Sequence, residues 1–330
     1  ERSQFVNPLN PSVGVIIDDV DFSGAGTVAT LMDVHQVEVL RGPQGTRYGA
    51  NALAGLINFS TNEPGEDFFT SVKLTAGEFG AQTAGGVLNL PLSETFLSRF
   101  VFESHESDGY VENDFLDSDT TNDRDELTSR AKFSWQVKEN WSLNLSLASI
   151  DIDNGYDAFS LDNNRHTLSD EPGFDRQNSA YVSLKSSWQL DEMNIEVLWN
   201  QSGSDLDYGY DEDWSFTGIH PFGYTSTDHY FRKRDTTSAE IRLLSNESGR
   251  VFADTTDWIV GFYYLSSSEA LQRQYTFLPS DFLSDYEFDT LAIFTELDID
   301  FSDRMTLSAG LRLEKRETKY DDSDGAKFSP

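Results

Sequence analysis

From about residue 69 onward the sequence alternates apolar and polar residues with a period of two, and the connections between the alternating segments are short and long by turns. In the last hairpin Leu291, Ile293, Leu297, Ile299 and Phe301 share one face, opposite Glu296, Asp298 and Asp300. After Ser302-Asp303-Arg304, the residues Met305, Leu307, Ala309, Leu311 and Leu313 alternate with Thr306, Ser308, Arg312 and Glu314. The same pattern covers Ala131 to Val137, Trp141 to Leu147, Ala180 to Leu190, Met193 to Trp199, Ala239 to Leu243 and Trp258 to Tyr264. In all, about eleven strands form an antiparallel meander.

Lys138-Glu139-Asn140, Asp191-Glu192 and Ser302-Asp303-Arg304 read as tight turns, whereas 106–124, 153–177, 203–233 and 270–287 read as long polar loops. Short turns then gather at one end of the sheet and long loops at the other, the arrangement of an antiparallel transmembrane β-barrel. A soluble β-sandwich explains the alternation but gives no reason for that sorting. Trp135, Trp141, Trp188 and Phe301 lie beside the short turns, where rings with an apolar body and a wettable edge suit a headgroup boundary. About eleven strands leave two unpaired edges, so these strands are expected to be part of a larger barrel that closes with an even number of strands.

Composition removes other classes. The chain has 330 residues with 24 Lys+Arg against 57 Asp+Glu, a formal charge of -33, which repels nucleic acid and leaves no basic footprint for it. Cysteine is absent, which excludes disulfides, thiolate nucleophiles and Cys-type metal sites. The longest apolar run, Trp258 to Leu265, is too short for a spanning helix, whereas a barrel strand needs only about 9–11 residues with every second one apolar. No strained Gly-x-Ser-x-Gly turn occurs, so an enzyme is not expected.

Residues 1–65 are Gly-rich and differ in character, reading as part of a small α+β unit with short strands at Val13 to Ile17, Val37 to Leu40 and Gly55 to Thr61. The glycines of Arg41-Gly42-Pro43-Gln44-Gly45-Thr46-Arg47-Tyr48-Gly49 permit tight turns with positive φ. A phosphate-cradling loop is disfavoured, because no Gly-Lys-Ser/Thr follows. The run from Val37 through Arg41-Gly42-Pro43-Gln44-Gly45-Thr46 to Asn58 resembles the plug-domain signature of TonB-dependent outer-membrane receptors, and Val13 to Val20 resembles an earlier plug strand and turn in which Gly often stands at the position of Asp19. Asn154 to Asn164 is similar to a loop segment of some members.

The resemblance implies a barrel of about 22 strands around a plug, with residues 1–65 as the C-terminal part of the plug and residues 66–330 as the N-terminal half of the transmembrane β-barrel. It implies a plug motif of Glu38, Arg41, Gly42, Pro43, Gly45, Tyr48, Gly49 and Gly55, in which Arg41 pairs with luminal carboxylates; Glu103 and Glu196 are the candidates in this sequence. It also implies import of a scarce nutrient, with a ferric siderophore or similar iron chelate foremost and cobalamin, haem or an oligosaccharide as alternatives. The coupling partner would be the TonB complex, whose contact segment is expected to lie before Glu1, and the surrounding partner would be outer-membrane lipid. A passive porin would lack the plug.

Ligand contact is expected from loop aromatics, Tyr156, Phe159, Tyr208, Tyr210, Trp214, Phe216 and Tyr224, whose faces pack on bulky solutes as readily as on one another. His220 and His229 are assigned to one loop, and the five histidines show no metal-ligand spacing. The acidic runs Asp117-Ser118-Asp119, Asp211-Glu212-Asp213 and Asp321-Asp322-Ser323-Asp324-Gly325 offer hard oxygens without an EF-hand spacing and read as solvated loops. No resident metal or cofactor is expected.

Overall fold

The computed structural model describes residues 8, 11–25, 30–42, 54–219, 222–302 and 304–328. The strands in chain order are β1 (Val13–Ile17), β2 (Val20–Asp21), β3 (Val34–Arg41), β4 (Gly55–Thr61), β5 (Phe69–Ala76), β6 (Gln82–Pro91), β7 (Phe96–Ser107), β8 (Glu112–Asn113) and β9 (Arg124–Lys138). They continue with β10 (Trp141–Tyr156), β11 (His166–Thr167), β12 (Gly173–Gln189), β13 (Met193–Asp211), β14 (Thr227–Ser245), β15 (Thr256–Tyr275), β16 (Phe282–Ser302), β17 (Met305–Asp322) and β18 (Lys327–Phe328).

The first four form one sheet in the order β2-β1-β4-β3, with β1 and β4 parallel. Backbone constraints explain two of its glycines. Gly42 ends β3 at φ +85, and a Cβ on Gly55 would lie 2.7 Å from the Leu40 carbonyl oxygen across the ladder. Asp18 and Asp19 take φ of 48 and 68 in the β1–β2 turn, the left-handed region that favours glycine and tolerates Asp. Among the described residues this part contains strands and no helix; Pro43, Gly45, Tyr48 and Gly49 lie outside them.

The remaining long strands make a twelve-stranded antiparallel sheet that runs from β5 to β18 with sequence neighbours paired throughout, and it does not close on itself. Setting aside the two-residue β18, the wall has eleven strands, the number read from the alternation.

The pleat separates two surfaces. Ile293 is 53% exposed and Leu307 is 50% exposed, so the apolar face looks outward and not into a packed core. Register carries that face across the wall through Trp135, Leu143, Val197, Ile241, Phe262, Ile293 and Leu313. On β16 the apolar outward stretch runs from Leu291 to Ile299 and on β17 from Met305 to Leu313. Each stretch rises about 27 Å along the strand, or roughly 21 Å along the membrane normal at a tilt near 40°, close to the apolar band of an outer-membrane barrel. At its short-turn end Trp141 stacks on Trp188 with centroids 5.9 Å apart, its indole N–H donates to Ser186 Oγ at 2.9 Å, and Trp258 donates to the Gly249 carbonyl at 2.9 Å.

The long loops need correction. β13 and β14 run to Asp211 and from Thr227, and β15 and β16 to Tyr275 and from Phe282, so much of 203–233 and 270–287 is strand. Above the apolar band the outward positions become Asp205, Asp207, Asp235, Asp289 and Glu287 while Leu206, Tyr208 and Phe288 are buried on the inward face, so the contrast between faces inverts while the backbone ladder continues. The sense of the alternation therefore marks where lipid touches the strand, and its reversal does not mark where the strand ends.

Candidate functional site

The inward face carries the chemistry, beginning where the four-stranded plug sheet meets the wall. Arg99 of β7 holds Asp33 through a paired contact, Nε to Oδ2 at 2.7 Å and a second guanidinium nitrogen to Oδ1 at 2.5 Å. Lys132 of β9 donates to Asp18 Oδ1 at 3.0 Å and to Glu63 Oε1 at 2.8 Å, and the Tyr181 hydroxyl donates to Asp18 Oδ2 at 3.2 Å. Asn200 Nδ2 donates to the Asp19 carbonyl at 2.9 Å, and Arg130 reaches the Met32 carbonyl. Beside these ion pairs, Ile17, Val20, Phe22 and Ala25 of the plug pack on Ala148, Ile150, Ile152 and Tyr181 of the wall. Nothing in the sequence singled out Asp18, Asp33, Arg99 or Lys132 for this role. Arg99 and Lys132 do follow from strand parity, because they sit at inward positions, where a charge needs a partner.

Glu103 and Glu196 both face inward, as expected of luminal carboxylates. Glu103 accepts from Lys73 at 2.9 Å and from the plug hydroxyl of Thr30, and Glu196 is met by Lys185 at 3.3 Å and Arg242 at 4.0 Å. Arg41 is exposed at the end of β3, and among the described residues it forms no ion pair with either glutamate. Glu38 accepts from Asn58 Nδ2 at 3.0 Å and so ties β3 to β4.

Farther along the lumen, beyond the apolar band, five of the seven expected aromatics meet. Tyr156 touches Phe159 at 5.9 Å and Tyr208 at 5.1 Å between centroids. Tyr210 lies 5.8 Å from Tyr208 and 5.9 Å from Phe159, and Trp214 stacks on Phe159 at 4.8 Å with a 6° interplanar angle. Phe216 instead stacks on Phe115 at 4.4 Å, and Tyr224 lies against Phe277 at 5.8 Å. Tyr156, Tyr208 and Tyr210 are strand residues at inward parity, not loop tips.

The sequence reading missed Tyr230, Leu271 and Phe282, which complete the apolar lining with Tyr208. It also missed the polar centre. Asp228 accepts from Tyr230 at 2.9 Å, from Tyr210 at 3.3 Å and from Arg273 at 2.7 and 2.8 Å. Burial, reinforced by the Asp228 charge, pushes the Tyr210 phenol up to about 12, and burial likewise raises Tyr230, so both remain neutral donors. The hydrogen bond to Asp228 raises Arg273 and holds it charged. Trp214 takes φ +60, unusual for a bulky residue; Asp211 fixes that turn by accepting from the backbone N–H of Asp213 and Trp214, each at 3.2 Å.

His229 does not belong to a loop. It lies in β14 on the outward side, half-buried against Phe174 at 5.0 Å, and burial lowers its pKa; His220 is outside the described residues. The acidic runs serve their own backbones: Asp213 accepts from Ser215 N and Ser226 N, and Asp322 from Asp324 N and Ala326 N.

A plug fragment latched to a lumen-facing wall, an aromatic cup beyond it and a lipid-sized apolar band outside define a plugged outer-membrane β-barrel receptor fold. The chain is similar over 97% of its length to the ferric yersiniabactin uptake receptor FyuA from Yersinia pestis, with a TM-score of 0.82 at 20% identity. It is similar over 97% of its length to the siderophore receptor PiuA from Acinetobacter baumannii, with a TM-score of 0.74 at 16% identity. It spans 50% and 52% of those two chains. In sequence, 55 residues, 17% of this chain and 8% of the relative, are 47% identical to the pesticin receptor of Yersinia pestis. A further 24% identity over 144 residues, 43% of this chain and 24% of the relative, links it to the vitamin B12 transporter BtuB of Vibrio vulnificus. No family model matches. The fold is similar to part of the plug and eleven strands of the wall of the TonB-dependent outer-membrane receptors.

Proposed function

We propose that residues 1–65 are the C-terminal part of the plug and residues 66–330 the N-terminal half of the barrel of a receptor that imports a ferric siderophore or similar iron chelate through the Gram-negative outer membrane, driven by the TonB complex. The observation that carries this reading is the aromatic cup of Tyr156, Phe159, Tyr208, Tyr210 and Trp214 lying above a plug that Arg99 and Lys132 hold inside the wall. A blocked lumen with a concave, ring-lined mouth concentrates a bulky solute before it moves, whereas a passive porin keeps its lumen open. The role is transport, not catalysis. Phe216 and Tyr224 lie outside the contiguous cup and serve it from neighbouring loops.

The similarity to ferric-chelate receptors supports iron, and the likeness to a vitamin B12 transporter supports cobalamin as the second reading. The test is uptake by iron-starved cells that express the full-length gene, with radioiron-loaded siderophores and labelled cobalamin offered separately, with and without a protonophore. Iron uptake that collapses with the proton gradient is expected. Gradient-independent uptake removes the coupled mechanism, and uptake of cobalamin alone moves the substrate to the second reading.

A further inference from the structure

We propose that Glu112, Asp114 and His166 form a divalent transition-metal site on the long-loop rim, outside the lumen. The three residues come from two loops, 52 residues apart between Asp114 and His166, and β8 and β11 pair in parallel with Glu112 directly opposite His166. Glu112 of β8 and Asp114 of the turn that follows it both reach the His166 imidazole, and the register sets that ring opposite Glu112. His166 Nδ1 lies 3.0 Å from Asp114 Oδ1 and 3.8 Å from Glu112 Oε2, and one ligand atom from each residue lies within 4.8 Å of the others. Donors bound to one ion at about 2.0–2.2 Å sit roughly 3.0–3.4 Å apart, so shifts of side-chain torsions alone close the set.

The backing of these ligands is unusually firm for a surface loop. On the opposite side of the same strands, Asn113 and Thr167 are buried. Asn113 Nδ2 donates to Asp157 Oδ2 at 2.8 Å and to the Ser169 carbonyl at 2.9 Å, while its Oδ1 accepts from Phe115 N and Leu116 N. Asp157 Oδ2 also accepts from Thr167 at 2.7 Å and Thr121 at 2.8 Å. The Asp114 N–H donates to the Thr167 carbonyl at 3.0 Å and the Glu112 N–H to the Arg165 carbonyl at 2.9 Å. This network holds both backbones in place while the outward side chains stay exposed, so a metal ion meets a preset pair of strands.

Donor chemistry selects the ion. One imidazole nitrogen with two carboxylate oxygens suits Zn(II), Co(II) or Ni(II), because Ca(II) and Mg(II) take all-oxygen sets. Three protein ligands leave further positions to water or to a donor atom of an incoming solute. The bound ion joins the β7–β9 loop to the β10–β12 loop.

The experiment titrates Co(II) into the full-length receptor in detergent, with any affinity tag removed, and follows visible absorption. Wild type is expected to take up one ion in the micromolar range, His166→Ala to bind at least about tenfold more weakly, and Glu112→Gln several-fold more weakly. Millimolar Ca(II) is expected to leave the Co(II) spectrum unchanged. All three side chains are exposed, so the variants keep the fold, and far-UV circular dichroism checks that. Absence of stoichiometric Co(II) uptake, equal affinity in His166→Ala, or displacement of Co(II) by Ca(II) overturns the proposal.

Discussion

The latch and the cup share one lumen and solve opposite problems. In the latch, each buried carboxylate meets one cation and further hydrogen-bond donors: Asp33 with Arg99 and Asn62, and Asp18 with Lys132, Tyr181 and Thr61. In the cup, rings surround a single carboxylate that holds two neutral phenols and one guanidinium. Buried ion pairs fix register and are costly to break by halves, so they suit a part that must sit in one place. Rings grip by area and tolerate shape, which suits a part that must receive a solute. The contrast implies that latch mutations are severe and all-or-none, and cup mutations graded.

The largest effect is expected from Lys132→Met. Lys132 and Asp18 side chains are each 6% exposed, so the substitution leaves a buried carboxylate without its cation, held only by Thr61 and Tyr181, and weakens plug anchoring by about 3–5 kcal/mol. Cells producing the variant should admit large antibiotics that wild type excludes, and amide exchange at 13–22 should accelerate. Adding Asp18→Asn should recover part of the loss. A double variant as leaky as the single one would show that the contact is ordinary packing and erase the distinction drawn here.

Next in size is the cup. Trp214→Ala removes the stack on Phe159, worth about 0.5–1.5 kcal/mol, so affinity for the proposed iron chelate should fall roughly two- to tenfold while leakage stays at the wild-type level. Leakage without loss of affinity would invert the assignment of roles.

Arg41→Ala is expected to act more weakly than Lys132→Met. Arg41 is exposed at the end of β3, so its removal leaves no buried partner unpaired among the described residues. Antibiotic sensitivity rising less than in Lys132→Met is the expected order; a reversal would make the signature arginine, and not the Asp18 contact, the main tie between plug and wall.

How much of this was legible follows from what each signal measures. The alternation at Leu291 to Leu313 revealed the wall, its strand count and its lipid face, because lipid demands an apolar residue at every second position. The same signal reverses its sense at the top of the band, where Leu206 and Tyr208 are buried and Asp205 and Asp207 face outward, so Tyr208, Tyr210 and His229 were assigned to loops although they continue the ladders. Tyr156 and Tyr208 were found because rings are conspicuous. Asp228 and Arg273 were missed because a lone Asp and a lone Arg 45 residues apart carry no local pattern until register brings them together. The latch was hidden for the same reason, since Asp18 and Lys132 are 114 residues apart. Of the three proposed metal ligands only Glu112 and Asp114 share a local spacing, and the parallel pairing of two short loop strands is what brings His166 to them.

The smallest effect expected is a pH response at the rim of the cup. Burial first, and the neighbouring Asp213 charge with it, raise Asp211 to about 6, although Ser169 and the turn N–H groups pull the other way. The folded chain therefore binds this proton more tightly than the unfolded chain, so the stabilisation is complete below the ordinary aspartate range near 3.8 and is lost as pH rises through 6. Asp211 shapes the turn that carries Trp214, so amide protection of 211–217 should increase between pH 7 and pH 5. The latch, outside that turn, should not respond over the same interval. Asp211→Asn should show the low-pH protection at both pH values, because the amide is neutral and its oxygen still accepts from the turn N–H groups. A response that persists in Asp211→Asn would assign the titration to another group, and one shared by 13–22 would show that cup and latch move together, which their separate contact networks give no reason to expect.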